Sequence, residues 1–441
     1  MRLAAGADDR CTSEVMVEAK GLRLLGHGDL GERAFGGEGM ALVARGSRRY
    51  LFVAHVWAPH AFSTVDVTDP RRPAVVFQSD ARMDHEDARA NSLSLSASGD
   101  VLAVAYQCRH VDRAPAGVEL FDVGEPTRPR SISFFSTSGP QSIGTHRVWL
   151  AGDRVFMSTG FPDFEPTHPL DHQGVSILDV ADPAHPREIG RWWVPGTRVG
   201  DEAPPPPRNP HGRRFELGYR AHNVMCYPER PDRCYVAYED GGLYVLDIAQ
   251  PSRPRVVSWL NFHPFSAHTV VPLFGRKLLA VTDEAHLPNA EDNPKLLWLM
   301  DVSVEGNILP LGTGPLPDVR EFARRGGRFG THNLHENEPI PGAWHSEREI
   351  VGSFFSAGIR IYDIADPFHP RETAFFIPDA PGRDAAGSTH VTDTGGESLS
   401  ALPPADVETS VSQINDVYAD ERGIVYAVDR LSSDLYVLER T

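Results

Sequence analysis

The chain is poor in cysteine, in basic charge and in long apolar runs. Four cysteines in 441 residues do not make a disulfide framework. Cys226 and Cys234, on the two arms of one hairpin, read as buried free thiols. No apolar run is long enough to span a bilayer as a helix. The opening residues Met1-Arg2-Leu3-Ala4-Ala5-Gly6-Ala7 have no apolar leader core, so a cytoplasmic location is expected unless a leader has been removed. Only 43 basic residues stand against 60 acidic ones, a net charge of −17. A surface of that sign repels nucleic-acid phosphates. The one basic patch, Arg324-Arg325-Gly326-Gly327-Arg328, reads as a solvated loop or an anchor for an acidic neighbour. No useful stretch has the 3.6-residue period of an amphipathic helix. Nucleophile elbows, phosphate-binding glycine loops and cysteine-rich zinc patterns are also missing, which sets those chemistries aside.

What the chain does have is a repeated phrase: an alternating apolar strand, an Asp, then a Pro-rich turn. Copies run Ser63 to Pro70, Val118 to Val123, Val175 to Pro183, Leu243 to Ile248, Leu297 to Val302 and Ile359 to Pro367, with a last one at Asp434 to Glu439. Around each copy the segments recur in one order, four short strands per unit, with the period-2 alternation of half-buried sheet. Such units cannot bury their apolar faces alone, and radial repetition of four-stranded sheets gives a β-propeller. The expected fold is all-β, a seven-bladed propeller forming one domain over 1–441. Its blades start near Gly39, Asn91, His146, His222, His268, His332 and Asn415. The last blade has three strands before the chain ends, and Leu22-Arg23-Leu24-Leu25-Gly26 is expected to supply the fourth and close the ring. Residues 1–20 are expected to form an extended arm.

The phrase resembles the repeat of the LVIVD-repeat proteins; Val245-Leu246-Asp247-Ile248 is a near match, and the likeness runs from about residue 36 onward. It implies the propeller and says little about function.

Chemistry gathers at the first strand of each blade. Blades three to six open with Thr145-His146, Ala221-His222, Ala267-His268 and Thr331-His332, while blades two and seven place Asn91 and Asn415 there. Four imidazoles on consecutive blades would converge on the axis as a set of metal ligands. The plainer explanation is a packing device copied by duplication. Acids near the same mouth, Glu239, Asp283, Glu284 and Glu338, are candidates to orient the imidazoles or meet a substrate, with Asn91 and Asn415. His335 and Glu336 are the candidate proton-transfer groups. The loop histidines His55, His60, His110, His168 and His172 read as substrate contacts or solvated residues. His390 falls in an insertion before blade seven. Phe161, Phe164, Trp57 and Phe62 offer apolar surface for an organic ligand.

The expected function is that of a metal-dependent oxidase or oxygenase acting on a small organic substrate, with O2 as co-substrate. A divalent first-row transition metal is the cofactor, Fe(II) favoured and copper or zinc as alternatives. In architecture this is similar to the carotenoid cleavage oxygenases and the selenium-binding proteins that act as methanethiol oxidases, although none of their sequence motifs match here. Two other readings stand beside it: a metal-assisted lyase or hydrolase, and a binding or scaffold propeller without chemistry.

Overall fold

The computed structural model describes residues 18–84, 87–208, 215–262, 265–379 and 411–441. Most of the expected arm, His390 and the insertion before blade seven lie outside the described residues.

The repeated phrase shapes each unit through its aspartate. Six times the carboxylate accepts the backbone N–H two residues on: Asp66 from Thr68, Asp122 from Gly124, Asp179 from Ala181, Asp247 from Ala249, Asp301 from Ser303 and Asp363 from Ala365, all at 2.8–3.0 Å. This side-chain turn ends the third strand and starts the reversal into the fourth. In three copies the second aspartate repeats the device, Asp69 with Arg71, Asp182 with Ala184 and Asp366 with Phe368.

The third blade shows the pattern: Thr145–Ala151, Arg154–Thr159, Gly174–Asp179 and Arg187–Trp192 form a four-stranded antiparallel sheet in sequence order. Seven such groups ring the axis, and the chain is a β-propeller. The first two are joined into one sheet by a single pairing between His55 and Ala90. In the sixth blade the innermost segment hydrogen-bonds to Glu349–Ser353 through His332, Asn333 and His335. Inner strands such as Ala88–Leu95 and Ala267–Leu273 are buried along their whole length, whereas outer strands such as Arg130–Ser136 are exposed or half-buried throughout. Core side chains pack between neighbouring blades. Trp149 of the third blade, for example, stacks on Tyr227 of the fourth at 5.2 Å and donates its indole N–H to the Cys226 carbonyl.

The ring is closed as the strand count requires. Leu22–Asp29 pairs with the C-terminal strand Asp434–Arg440 and completes the seventh blade, reinforced by an Arg23–Glu439 ion pair. Just before it, Glu18–Lys20 pairs with Arg371–Ile377 on the outside of the sixth blade. Among the described residues one α-helix occurs, Val319–Arg325, capped by Asp318. It takes up Arg324 and Arg325, and Arg328 beyond it is a buried partner of Glu284. The anchor alternative for this basic patch therefore describes Arg328. No helix among the described residues is long and apolar enough to cross a membrane. Cys108, Cys226 and Cys234 are buried free thiols.

Close approach between inner strands sets the width of the channel. A Cβ on Gly39 would lie 2.4 Å from the Leu93 nitrogen of the next blade. Gly39→Ala is therefore expected to cost about 1–3 kcal/mol of stability through overpacking. The urea midpoint measures this, and an unchanged midpoint would refute the tight contact.

Candidate metal centre

Each inner strand opens with an irregularity at one place. The pairing register slips between Gly36 and Met40, Arg89 and Ser92, Thr145 and Arg147, Ala267 and Thr269, and Ile414 and Asp416. In the fourth blade His222 N–H donates to the Ala237 carbonyl while Ala237 N–H donates to the Asn223 carbonyl, so two residues face one. His332 and Asn333 face Ser353 in the same way. A bulge re-aims the side chain it carries. The residues so placed are Glu38, Asn91, His146, His222, His268, His332 and Asn415, one per blade.

The four imidazoles meet. His146 and His222 bring their Nε2 atoms to 2.7 Å, and ring centroids from His222 to His268 and from His268 to His332 are 3.7 and 4.3 Å apart. Glu38 lies among them, its Oε2 at 3.5, 3.6 and 3.8 Å from the Nε2 atoms of His146, His222 and His268, and its Oε1 4.0 Å from that of His332. Glu284 approaches from the fifth blade, 3.5 Å from His268 Nε2 and 3.6 Å from His332 Nε2. Donor atoms of Glu38, His222 and His268 lie within 4.8 Å of one another, as do those of His268, Glu284 and His332, and those of His222, Glu239 and Glu284.

The outward nitrogens define the protonation. His332 Nδ1 donates to the Asn415 carbonyl at 2.6 Å. His222 Nδ1 donates to Asn223 Oδ1 at 2.9 Å, and that amide is oriented by Nδ2 donating to Glu336. His268 Nδ1 meets Thr269 Oγ1 at 2.8 Å, and His146 Nδ1 meets Gln107 Oε1 at 3.1 Å. A neutral imidazole has one N–H. With it spent outward, the Nε2 lone pairs of His268 and His332 face the shared centre, while the 2.7 Å contact between the Nε2 atoms of His146 and His222 needs a proton or a cation between them. Burial holds His222 and His268 well below the ordinary histidine range and His332 at about 4, so the rings are neutral at pH 7. Burial acts to raise Glu38 and Glu284, but the surrounding imidazoles outweigh it and hold both well below the usual carboxylate range. Neutral imidazoles with ionised carboxylates are the state in which these groups ligate a cation. His268 Nε2, His332 Nε2 and Glu38 Oε2 are buried without a hydrogen-bond partner. Orphaned acceptors of this kind are costly unless something electropositive stands between them.

Other expected site residues fall in several places. Glu239, fully buried, faces the cluster from a strained left-handed corner with φ of 40°. Asp283 does not orient an imidazole: it accepts from Trp298 Nε1 at 2.7 Å and from Ser266 N–H at 2.9 Å, pinning its own loop. Glu336 accepts from Arg147 and from Asn223 Nδ2, so it supports His222 through Asn223. Glu338 lines a separate polar cavity with Glu336, Asp416 and Tyr418, reached by Glu38 on one side. Asn415 carries the carbonyl that holds His332, and its Nδ2 donates to Gly36 and Gly37 carbonyls beside Glu38. Asn91 is buried with both amide atoms unpaired.

His335 is removed from proton transfer by its partners: Nε2 donates to the Trp344 carbonyl at 2.6 Å, and Nδ1 accepts the Ala419 N–H. It is a core bracket between blades six and seven. His55 is likewise buried, bonded to Ser63 and Phe35. Phe161 and Phe164 pack on each other and on Trp193, and Phe62 packs on Phe52 and Phe121, so none of these three lines an open apolar face. Trp57 lies under Arg89 and Arg109.

Sequence reading missed Glu38. Its signal was present: aligning the blade openings puts Glu38 where the others carry His or Asn. His286, two residues after Glu284, also reaches the cluster, with Nε2 3.0 Å from Glu284 Oε2.

The fold is a β-propeller and its fourth blade carries the family phrase: residues 233–261 match the LVIVD repeat. Among solved structures the chain is similar to the β-propeller domain of Cps50 (Swd1) from Myceliophteria thermophila, at 11% identity and a TM-score of 0.53, covering 94% of this chain and 98% of that one. It is also similar to a chain of a mitotic checkpoint complex, at 12% identity and a TM-score of 0.53, covering 100% and 99%. At these identities the likeness establishes the fold alone. No curated protein matches the sequence.

Because burial lowers His335 to about 4, the unfolded chain binds a proton near pH 6.5 that the folded one refuses. Its contribution is therefore whole above pH 6.5 and lost as pH falls toward 4. His335→Gln is expected to remove up to about 3 kcal/mol of the drop in unfolding free energy between those limits. Urea titrations across the window measure it, and an unaltered slope would refute it.

Proposed function

We propose that this protein is a metal-dependent oxidoreductase in which His146, His222, His268 and His332, with Glu38, hold a first-row transition ion at the mouth of the propeller channel. The observation that carries the reading is the convergence of four imidazole Nε2 atoms around Glu38, each ring having its Nδ1 against an outward oxygen. A set of nitrogens with a carboxylate suits iron, copper or zinc rather than magnesium or calcium. The described thiols are placed elsewhere in the fold, so no sulfur among the donors selects copper(I), and the mixed nitrogen and oxygen set favours Fe(II). Such an ion supplies a redox centre for a small organic substrate and O2.

The protein's own groups support that role. The chain Glu336 to Asn223 to His222 fixes one ring and keeps its proton on Nδ1. A cavity of about 160 Å³ is lined by Gln141, Glu165, Pro166, Pro169 and His172. That volume suits a substrate of about the size of benzene.

Zinc would use the same donors for Lewis-acid lyase or hydrolase chemistry, and the O2 requirement separates the two. Elemental analysis of the purified chain is expected to find a first-row metal that a His146→Ala, His268→Ala double variant loses, with O2 uptake on candidate substrates lost alongside. A metal-free chain would instead leave a binding propeller. Glu336→Gln is expected to weaken metal affinity about 10–100-fold through loosening of Asn223, read by competition with a chelator.

A further inference from the structure

We propose that the mouth holds a second divalent first-row ion, bound by Glu239, Glu284 and His286, with Glu284 shared between the two ions. This rests on the reading of the four-histidine cluster as a metal site.

The first argument is one of extent. Eight donor side chains, all buried except the partly exposed His146 and His286, are linked by short contacts: Glu38, His146, His222, His268, His332, Glu284, Glu239 and His286. An octahedral ion takes about six donors. They also lie too widely for one ion. Glu38 groups with His222 and His268, and Glu239 groups with His222 and Glu284. Among the described residues no compact grouping contains both Glu38 and Glu239; His286 is in none of them and joins the second set through its contacts of 3.0 Å with Glu284 and 3.9 Å with Glu239.

The second argument comes from atoms without partners. His286 Nε2 lies 3.0 Å from Glu284 Oε2 and 3.9 Å from Glu239 Oε2, yet aligns for a hydrogen bond with neither and is buried. Its position is no accident of a loose loop, because Asp292 accepts the His286 backbone N–H at 2.7 Å. Glu239 is fully buried, and its Oε1 makes no hydrogen bond; the nearest cation, Arg220, stands at 3.8 Å. The unsatisfied His286 nitrogen thus faces Glu239 Oε2, which accepts from Ser266 Oγ at 2.9 Å, while the other oxygen of the same buried carboxylate is left unsatisfied.

The third argument is the placement of Glu284. Its Oε2 lies between His286 at 3.0 Å and His268 at 3.5 Å, and its Oε1 is 3.6 Å from His332 and 3.0 Å from Arg328. A carboxylate standing between two imidazole sets is what a bridging ligand requires, and ions about 3.5–4 Å apart are the usual spacing of two-metal sites. The second ion would also relieve the repulsion between the adjacent carboxylates of Glu239 and Glu284.

The test counts ions. The full chain is stripped with a chelator, titrated with Mn2+ alone, desalted, and analysed for manganese per chain. About two ions are expected, with the broadened magnetic resonance spectrum of a coupled pair. His286→Ala is expected to retain about one ion with the six-line spectrum of isolated Mn2+. The isosteric Glu239→Gln should do the same, and decides the matter if the alanine variant does not fold. A wild-type chain that holds a single ion, lost in the His146→Ala, His268→Ala variant and untouched by His286→Ala or Glu239→Gln, overturns the second site and leaves the first standing. A wild-type chain that takes up no ion overturns both.

Discussion

The bulge that opens every inner strand is the constraint on which the rest depends. A regular strand would send successive side chains to alternate faces of a blade and into the packing between sheets. Setting two residues against one breaks that alternation once per blade, at the end nearest the axis. The side chains of His146 and His268 occupy that slot in their blades, and Glu38 occupies it in the first. Repetition of one local defect around a ring converts seven separate hairpins into a single convergent set.

Convergence has an electrostatic cost. Imidazoles forced to neutrality by burial, and carboxylates held ionised among them, form a centre whose lone pairs oppose one another. The surroundings offset part of this with Arg328 on Glu284 and with outward acceptors for every Nδ1. The propeller itself supplies the rigidity: Asn415, on the last blade, grips both the His332 ring and the backbone beside Glu38. His146 and His332 are thus braced by neighbours on other blades, and His222 and His268 by the residue that follows each.

Much of the fold was legible because its signals are local. The alternation in Val175 to Val180 and the aspartate turn after it need no partner to be recognised, and the short last blade called for a strand that Leu22–Asp29 supplies. The candidate site was legible where the blades share a residue type, as at the four histidines. It was obscured where type changes at a fixed position: Glu38 stands among glycines, without the apolar flanks that mark the other openings. His335 misled for the opposite reason. Its distance along the chain from His332 is short, but the strand carries it into the core against Trp344 and Tyr418. Asp283 and Glu284 are adjacent in sequence and serve different masters, one holding Trp298 and the other reaching the imidazoles, a distinction that only backbone direction makes.

The pairing of Leu22–Asp29 with Asp434–Arg440 has a consequence for biogenesis. Within the propeller the strand Asp434–Arg440 is made last, and Asn415, which braces Glu38, precedes it by only about twenty residues. Early blades can collapse during synthesis, but the mouth cannot assume its final shape until that strand has emerged and paired with Leu22–Asp29. Acquisition of any ion by the complete centre therefore follows closure of the ring.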